Sequence, residues 1–410
     1  MGTLTLPLWL VILVGALALI GLLDRLLVPS VRWFIRNRAN KVLDEVGARL
    51  RIEIRPFQQT RRQVLIDRLL YDDKVQQAAA AYAHAQNMPR EVVTARITAY
   101  AREIVPAFNA YFYFRVGYWL GRKIAQSLYR VRVGYTDSDG LARISPDATV
   151  VFVMNHRSNM DYILAAYLVA DQAALSYAVG EWARIWPLQQ LIRSMGAYFV
   201  RRNSRDELYR RVLERYIGMA TEAGVTQALY PEGSLSRDGR LREPRLGALD
   251  YMIRGFNPEG GRDLVFIPLG INYDRTLEDR TLLLGLEQDA KRPGRLKAAW
   301  NTLAFAGHQA GLALRSEWHR FGYACVNFGT PLSMREYLQS QKFDFRKLDR
   351  DQRQARVAEL GAELMQRVGK LIPVLPVPLV ALVFERNPGK ALSELELKSE
   401  VEALIERLEA

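Results

Sequence analysis

The chain has 410 residues, of which 49% are hydrophobic and 25% charged, a composition that supports a sizeable core and excludes an intrinsically disordered protein. Lysine and arginine outnumber aspartate and glutamate by 57 to 44, and the net charge of +13 favours an anionic partner: nucleic acid, a phospholipid surface or a phosphorylated substrate. The single cysteine, Cys325, excludes an intramolecular disulfide and a cysteine-rich metal site.

The N-terminal stretch from Met1 to Leu23 carries no ionisable side chain. As a helix it is long enough to cross a hydrocarbon layer of about 30 Å, which favours a membrane anchor over a buried core helix. Basic residues follow this stretch and none precedes it, so a cleaved signal peptide is disfavoured and the positive-inside rule places the rest of the chain in the cytoplasm. The basic residues are Arg25, Arg32, Arg36, Arg38 and Lys41. We therefore predict a transmembrane anchor over residues 1–24.

Residues 25–142 are rich in helix formers, as in "VQQAAAAYAHAQNM", and we predict a mostly helical region there. Within it, the segment from 107 to 135 interleaves aromatic residues with arginine and lysine. Such a segment suits the headgroup layer of a membrane, where rings lie at the interface and cations meet lipid phosphate. It suits a core helix with a solvated basic side equally well, so membrane association of residues 25–142 is one of two interpretations.

From about residue 145, short apolar runs alternate with helical segments. The runs are "ATVVFVM", "LSYAVG", "AYFV", "TQALY", "LVFIPLGINY" and "YACVNF". This alternation is typical of an α/β domain with a central, largely buried sheet, which we place at residues 143–340. Residues 341–410 are predicted to be helical, and their proline-broken apolar stretch, 371–384, suits core packing or shallow membrane contact.

The first apolar run stops at Asn155-His156, and Asp161 precedes the return of apolar residues with helical spacing. Residues five apart on one helix do not share a face, but these two meet if His156 lies in a turn and Asp161 in the first helical turn. The carboxylate would then orient the imidazole as a general base towards a substrate hydroxyl. Ser158 and Asp161 also fit a capping box, in which the acid accepts a backbone N–H. This stretch alone leaves both interpretations open.

Three further stretches join "NHRSNMDY" at 155–162 in a recognisable order. They are "GAYFVRRN" at 196–203, "YPEGSLSRDGRLREPRLGALDYM" at 230–252 and "VFIPLGINYDRTLED" at 265–279. Together the four resemble the blocks of the glycerolipid acyltransferases, and most closely the membrane-bound bacterial glycerol-3-phosphate acyltransferases, over about residues 148–340. The resemblance implies an α/β fold with a central mixed, largely buried sheet flanked by helices, in addition to the N-terminal transmembrane helix and helical extensions.

By this resemblance His156 is the general base and Asp161 its orienting partner in the transfer of an acyl group from a thioester to a hydroxyl. The resemblance also implies a substrate-binding set rich in arginine, whose planar, permanently charged fork suits phosphate. The members of this set are Arg201, Arg202, Glu232, Gly233, Ser234, Arg237, Arg240 and Arg245. No metal and no cofactor is implied, since acyl-CoA or acyl carrier protein enters as a co-substrate.

One position departs from the family pattern. Glycerolipid acyltransferases usually carry Glu-Gly-x-Arg-Ser-Arg, and this chain has Leu235 in "EGSLSR" where the first of those arginines stands. Leucine cannot donate to phosphate, whereas Arg237 still matches the second arginine. The departure makes the identity of the acceptor less certain than the reaction.

We therefore expect acylation of the sn-1 hydroxyl of glycerol 3-phosphate, forming lysophosphatidate in phospholipid synthesis. Lysophosphatidate, dihydroxyacetone phosphate or another lysolipid is the alternative acceptor, and a non-catalytic membrane lipid-binding protein is the alternative from another class. The expected partners are a phospholipid surface, the acyl donor and glycerol 3-phosphate; nucleic acid is not expected, because the sequence has no recognisable nucleic-acid motif. The expected location is the cell inner membrane, as a single-pass protein with a cytoplasmic catalytic domain.

Overall fold

A computed structural model describes residues 55–279, with gaps at 111, 170–173, 181–183, 185–187 and 202–203, and residues 320–409. The predicted anchor over residues 1–24 lies outside these ranges. The described chain begins with helices α1 (Pro56–Gln59), α2 (Arg62–Leu70), α3 (Asp73–Ala85) and α4 (Arg90–Ile104). Their buried residues, among them Ile66, Val75 and Ile97, share one apolar core with Val151 and Val153 of the sheet. The N-terminal helices are therefore packed onto the α/β core.

A π-helical turn, Phe112–Gly117, leads into α5 (Tyr118–Leu128), and strand β1 (Arg130–Thr136) follows. Residues Arg130–Thr136 thus form a strand within the region 25–142, which the sequence predicts to be mostly helical. Arg130-Val131-Arg132-Val133 alternates basic and apolar residues with the period of a strand, and both arginines are exposed. The aromatic and basic content of residues 107–135 hides this change of period.

Helices and strands alternate over residues 138–273. They are α6 (Ser138–Ala142), β2 (Thr149–Met154), α7 (Met160–Val169), β3 (Ser176–Val179), α8 (Leu188–Ser194), β4 (Tyr198–Phe199), α9 (Glu207–Glu222), β5 (Gln227–Leu229), α10 (Gly247–Ile253) and β6 (Leu264–Tyr273). After the gap they are β7 (Tyr323–Phe328), β8 (Leu332–Ser333), α11 (Met334–Gln341), a 3₁₀ turn (Phe345–Lys347), α12 (Arg350–Leu371), α13 (Pro376–Arg386) and α14 (Glu394–Glu409). Each of the six apolar runs predicted as strands contains one, from β2 to β7.

The strands form one mixed sheet in the order β1-β7-β6-β2-β5-β3-β4, with β8 beside β6. Strands β6, β2, β5, β3 and β4 run parallel, β7 runs antiparallel to β6, and β1 runs parallel to β7. Every residue of β2 and β6 is buried. The prediction of an α/β fold with a central mixed sheet flanked by helices is confirmed. Because β2, β5 and β6 are parallel, the loops that follow them meet at one edge of the sheet.

The C-terminal helices approach the sheet at the end of α12. A Cβ on Gly270 would lie 2.2 Å from the Leu371 carbonyl carbon, so only glycine in β6 allows this contact. Helices α13 and α14 share a smaller apolar cluster that includes Leu379, Val383 and Leu404. Among the described helices, none is by itself long and apolar enough to cross a membrane, and α12 with α13 reaches that length only as a pair bent by 89°.

Candidate active site

The site begins where β2 gives way to a turn. Asn155 is buried directly after β2, and its Nδ2 donates to the Ile271 carbonyl while its Oδ1 accepts from the Ile271 N–H, both at 2.8 Å. The side chain thus replaces a backbone pair of the β2–β6 ladder and satisfies the Ile271 peptide groups. The main chain is thereby free to turn away at His156, which explains why the apolar run stops there.

His156 and Asp161 are in direct contact. Asp161 lies in the first turn of α7, and its Oδ2 is 2.8 Å from Nδ1 of His156. Both side chains are buried, with exposed fractions of 2% for His156 and 0% for Asp161. A carboxylate at Nδ1 favours the tautomer that carries its proton there, so Nε2 is left unprotonated. The structure therefore brings the predicted base and its orienting partner together.

Asp161 also accepts backbone hydrogen bonds, as the capping interpretation requires. Its Oδ2 accepts from the N–H groups of Arg157 at 2.7 Å and Ser158 at 3.0 Å. Its Oδ1 accepts from the Tyr273 hydroxyl at 2.7 Å. Four donors around one carboxylate fix its position and stabilise its charge. The two interpretations therefore hold together, because one carboxylate both caps α7 and orients the imidazole.

Aromatic rings surround this pair. The Tyr230 ring centroid lies 4.5 Å from that of His156, and the Tyr162 ring meets the imidazole edge-on at 5.2 Å. Burial, together with the charge of Asp161, raises the pKa of Tyr273 well above its ordinary value, so its hydroxyl stays a donor to the carboxylate. The sequence interpretation gave Tyr273 no part in the site; its place at the end of β6, on the same sheet edge as His156, was the available signal.

Glu232, in the stretch 230–252, contacts the stretch 155–162 that contains His156. Its Oε1 accepts the His156 N–H at 2.9 Å, and the Ser236 N–H donates to the His156 carbonyl at 2.8 Å. Burial raises the pKa of Glu232, against the backbone donors of His156 and Arg242 that lower it. Glu232 thus holds the loop after β5 against the backbone of the histidine.

Two glycines allow this loop to close on its neighbours. Gly233 has φ +67°, and a Cβ there would lie 2.6 Å from Cδ of Arg245. Gly239 has φ +80°, and its carbonyl accepts from the guanidinium of Arg157, which a Cβ at 239 would meet at 2.6 Å. Both positions combine a backbone conformation that favours glycine with a close arginine side chain.

His156 lies in the wall of a cavity of about 300 Å³, the His156 cavity. Gly233, Arg201 and Arg245 of the predicted set line it, and Arg210 on α9 adds a cation that the sequence interpretation did not include. Such a cavity is large enough for a small phosphorylated ligand, and cations in its wall favour an anion.

The other predicted binding residues lie elsewhere. Arg237 and Arg240 are exposed, Ser234 and Leu235 are half-buried, and none of these four is among the residues that line the His156 cavity. Arg202 lies outside the described residues. Of the four predicted arginines that the structure describes, Arg201 and Arg245 line the cavity, whereas Arg237 and Arg240 do not.

A second, apolar cavity of about 230 Å³ lies beside the first, and we call it the apolar cavity. Tyr162 and Val179 line both. Helices α5 and α7 supply much of its wall, including Gly121 and Ile163. An apolar cavity next to one that contains a histidine and three arginines suits a ligand that has an acyl chain at one end and a charged, reactive group at the other. Among the described residues, no three His, Cys, Asp or Glu side chains lie together as a metal ion would require.

Comparison with known proteins finds two profiles that match the chain. An acyltransferase profile matches residues 136–272, which contain His156, Asp161 and Glu232, and a profile of the C-terminal region of glycerol-3-phosphate acyltransferases matches residues 312–410. Both regions are therefore similar to known acyltransferases, and the second is similar to glycerol-3-phosphate acyltransferases in particular. The resemblance carried by the four blocks is thereby confirmed.

Bacterial glycerol-3-phosphate acyltransferases align with most of the chain. The protein of Pseudomonas putida KT2440 is 28% identical over 351 residues, and that of Xanthomonas campestris pv. campestris is 26% identical over 350 residues. The alignments cover 82% and 83% of the chain but 40% and 38% of these relatives, so the chain spans about two-fifths of their length. A crystal structure of the 1-acyl-sn-glycerophosphate acyltransferase PlsC from Thermotoga maritima matches with 17% identity and a TM-score of 0.36, covering 63% of the chain and 80% of that structure.

The two regions matched by these profiles are in contact with each other. The Asn272 side chain, next to Tyr273, donates to the Pro373 carbonyl at 2.8 Å. The C-terminal region therefore supports the strand end that carries Tyr273.

Proposed function

We propose that this chain transfers a fatty acyl group from acyl-CoA or acyl carrier protein to the sn-1 hydroxyl of glycerol 3-phosphate, forming lysophosphatidate. The observation that carries the proposal is the 2.8 Å hydrogen bond from His156 Nδ1 to Asp161 Oδ2 in the wall of a cavity that also contains Arg201 and Arg245. The named activity of the aligned relatives supports the choice of acceptor.

The reaction follows from the tautomer of His156. Nε2 takes the proton of the acceptor hydroxyl while the hydroxyl oxygen bonds to the thioester carbonyl carbon. The tetrahedral intermediate then collapses, the C–S bond breaks, and the leaving thiolate takes the proton from Nε2. Asp161 stabilises the transient imidazolium, and no covalent bond to the protein is needed.

An acceptor assay tests this proposal. The purified full chain is given radiolabelled glycerol 3-phosphate, dihydroxyacetone phosphate or lysophosphatidate, each with acyl-CoA and with acyl carrier protein as donor. Labelled lysophosphatidate from glycerol 3-phosphate is the expected product. If only another acceptor is acylated, that acceptor is the substrate in place of glycerol 3-phosphate. If no combination of acceptor and donor gives product, the acyltransferase proposal is rejected in favour of lipid binding without turnover.

The acceptor phosphate is proposed to bind at the cavity arginines. We expect Arg245→Ala to raise the KM for glycerol 3-phosphate by about ten- to a hundred-fold and to leave the KM for the acyl donor nearly unchanged. A lost charge-assisted hydrogen bond corresponds to about 1.5–3 kcal/mol of binding free energy. Steady-state kinetics with each substrate varied in turn measure this effect.

Arg237→Ala is the comparison, because Arg237 is an exposed arginine of the same loop that does not line the His156 cavity. A smaller rise in the acceptor KM is expected for this variant. A larger rise for Arg237→Ala than for Arg245→Ala would place the phosphate on the exposed loop and contradict the cavity assignment.

The acyl chain is proposed to occupy the apolar cavity. Gly121 on α5 lines it, and a Cβ at this position would contact Ile163 at an ordinary 3.5 Å. We expect Gly121→Leu to fill the cavity and to lower kcat/KM for long-chain donors at least about ten-fold relative to short-chain donors, since each buried methylene is worth about 0.8 kcal/mol. The helix itself should gain from the loss of glycine.

Competition between acyl donors of different lengths measures this change. Ser127→Leu is the control, because Ser127 is an exposed residue of the same helix. An unaltered preference among chain lengths in Gly121→Leu would show that the acyl chain binds elsewhere.

We also propose that α5 lies at a membrane surface, in keeping with the expected inner-membrane location. Trp119 is 56% exposed on this helix, and Arg122 and Lys123 follow it. Leu120, Gly121 and Ile124 of the same helix line the apolar cavity. A tryptophan beside cations suits the headgroup layer, and this placement would let an acyl chain pass between the bilayer and the cavity.

A fluorophore at Trp119 tests the membrane contact. Trp119→Cys carrying an environment-sensitive label should shift its emission to the blue on addition of anionic phospholipid vesicles. The same label at Tyr71→Cys should not shift, although Tyr71 is 75% exposed. Cys325 is buried and should label poorly. Equal responses at the two positions would argue against a membrane contact specific to α5.

A further inference from the structure

Helix α4 supplies a carboxylate that contacts Arg201, an arginine in the wall of the His156 cavity. Glu103, near the end of α4, accepts from Arg201 twice: Nε to Oε1 at 2.9 Å and Nη2 to Oε2 at 2.7 Å. The guanidinium of Arg184 donates to the same Oε1. Glu103 lies 98 residues from Arg201 in the chain and outside the stretch matched by the acyltransferase profile. The N-terminal helical region therefore contacts an arginine that lines the His156 cavity.

The surroundings of Arg201 hold its guanidinium in a single orientation. Its Cζ lies 5.0 Å from the ring centroid of Tyr100 and 5.1 Å from that of Tyr209. The two rings contact each other edge-on at 5.4 Å. A cation over two aromatic rings and held by a bidentate carboxylate loses most of its rotational freedom.

The contact with Glu103 leaves some N–H groups of the Arg201 guanidinium for a ligand. The bidentate contact uses Nε and Nη2, so the two N–H groups of Nη1 are not part of it. Arg201 lines the His156 cavity, and its side chain is 36% exposed against 15% for Glu103. Burial would raise the pKa of Glu103, but the hydrogen bonds and charges of Arg201 and Arg184 lower it overall, so the carboxylate stays ionised. One carboxylate between two guanidinium groups leaves this part of the wall with a net positive charge.

We propose that Glu103 is a positioning residue, which holds Arg201 so that its remaining N–H groups bind the phosphate of the acceptor. This inference rests on the proposed acylation of glycerol 3-phosphate. It adds a residue of the N-terminal helical region to the acceptor site.

Glu103→Gln is the decisive substitution. The amide offers one acceptor oxygen in place of two, and its NH₂ group must face a guanidinium donor, so the fork is lost with almost no change of volume. We expect the KM for glycerol 3-phosphate to rise about ten-fold, the order expected for a misplaced charge-assisted hydrogen bond. The donor KM should stay unchanged and kcat should fall by less than about three-fold, because His156 is not in contact with Glu103.

Asp72→Asn is the matched control. Asp72 accepts from Nε and Nη2 of Arg215 at 2.9 and 2.8 Å, and its side chain is 14% exposed, close to the 15% of Glu103. Neither residue of this pair lines the His156 cavity. A loss of stability comparable to that of Glu103→Gln is expected, with no change in the acceptor KM.

A double variant separates positioning from general structural support. In an Arg201→Ala background, Glu103→Gln should add nothing further to the acceptor KM, because Glu103 acts through Arg201. An additive effect would overturn the proposal. An acceptor KM in Glu103→Gln that is unchanged or lowered would also overturn it, since the removal of a negative charge alone should strengthen phosphate binding.

Calorimetric binding of glycerol 3-phosphate to the full chain distinguishes failure of this inference from failure of the proposed function. Binding without turnover in the unmodified chain rejects the acyltransferase proposal, and a ten-fold weaker Kd in Glu103→Gln then still supports Glu103. Turnover with an unaltered Kd in Glu103→Gln rejects Glu103 alone. No binding by the unmodified chain rejects both. Should Glu103→Gln not fold, Glu103→Asp, which keeps the charge but withdraws it by one methylene, must raise the same KM.

Discussion

Replacing His156 with alanine will lower turnover by about 10²–10⁴-fold while the protein stays folded, because the change removes a general base and little core volume. The contacts that hold this segment come from the backbone. The His156 N–H donates to Glu232 at 2.9 Å and its carbonyl accepts from Ser236 at 2.8 Å, and alanine keeps both groups. Asp161 keeps its three other donors and so is not left as an unpaired buried charge.

Single-turnover kinetics and thermal unfolding measure the two parts of this prediction. His84→Ala is the control for the removal of a histidine, because His84 is exposed on α3. It should leave turnover and stability unaltered. Near-normal turnover in His156→Ala would remove the histidine from the mechanism, and a large loss of stability would assign it a structural role.

Most of the strands were predictable because their signal is local. Six apolar runs bounded by polar or glycine residues each contain a strand, and β2 and β6 are buried throughout, as continuous apolar runs indicate. β1 was missed because its exposed arginines give an edge strand the composition of the basic segment before it. β8 spans two residues, Leu332 and Ser333, too few for any periodicity to show.

The His156–Asp161 contact was predictable for the same reason, since five residues across a strand-to-helix turn determine it. The contacts that complete the site join distant parts of the chain. Tyr273 meets Asp161 across 112 residues, and Glu103 meets Arg201 across 98. The sequence indicates which strand ends share an edge of the sheet, but not which side chains of packed helices reach that edge. It placed arginines near the acceptor and could not separate Arg245, which lines the cavity, from Arg237, which does not.

The C-terminal region, residues 312–410, contacts the end of β6 and so supports the residues around Asp161. Asn272 contacts Pro373, and the neighbouring Tyr273 contacts Asp161. Asp274 accepts from the N–H of Val377 at 3.1 Å through Oδ1 and from that of Tyr323 at 2.7 Å through Oδ2. The end of β6 therefore lies between the C-terminal segment and the carboxylate that orients His156, so the position of Tyr273 depends on both.

Replacing the carboxylate of Asp161 is expected to cause the second large loss of turnover. Asparagine at 161 can keep the geometry: its oxygen can replace Oδ2 as the acceptor for His156, Arg157 and Ser158, and its NH₂ group can donate to the Tyr273 hydroxyl, which is able to accept. What Asp161→Asn removes is the negative charge that stabilises the imidazolium. We expect turnover to fall by about 10²–10⁴-fold, with little change in the midpoint of thermal unfolding.

Tyr273→Phe and Tyr129→Phe show how much of the loss of turnover in Asp161→Asn comes from the lost charge and how much from a change in the orientation of the side chain. Tyr273→Phe leaves the carboxylate and its contact to His156 in place but removes the donor to Oδ1, so turnover should fall only several-fold. Tyr129→Phe is matched to it, because Tyr129 is buried, its ring lies 5.1 Å from that of Tyr273, and its hydroxyl donates to the Arg275 carbonyl and not to Asp161. It should alter stability and not turnover. If Asp161 only caps α7, Asp161→Asn would stay fully active, because asparagine caps a helix about as well as aspartate does. Turnover measured beside thermal unfolding for the three variants therefore decides whether the charge of Asp161 acts on the reaction or only on the helix.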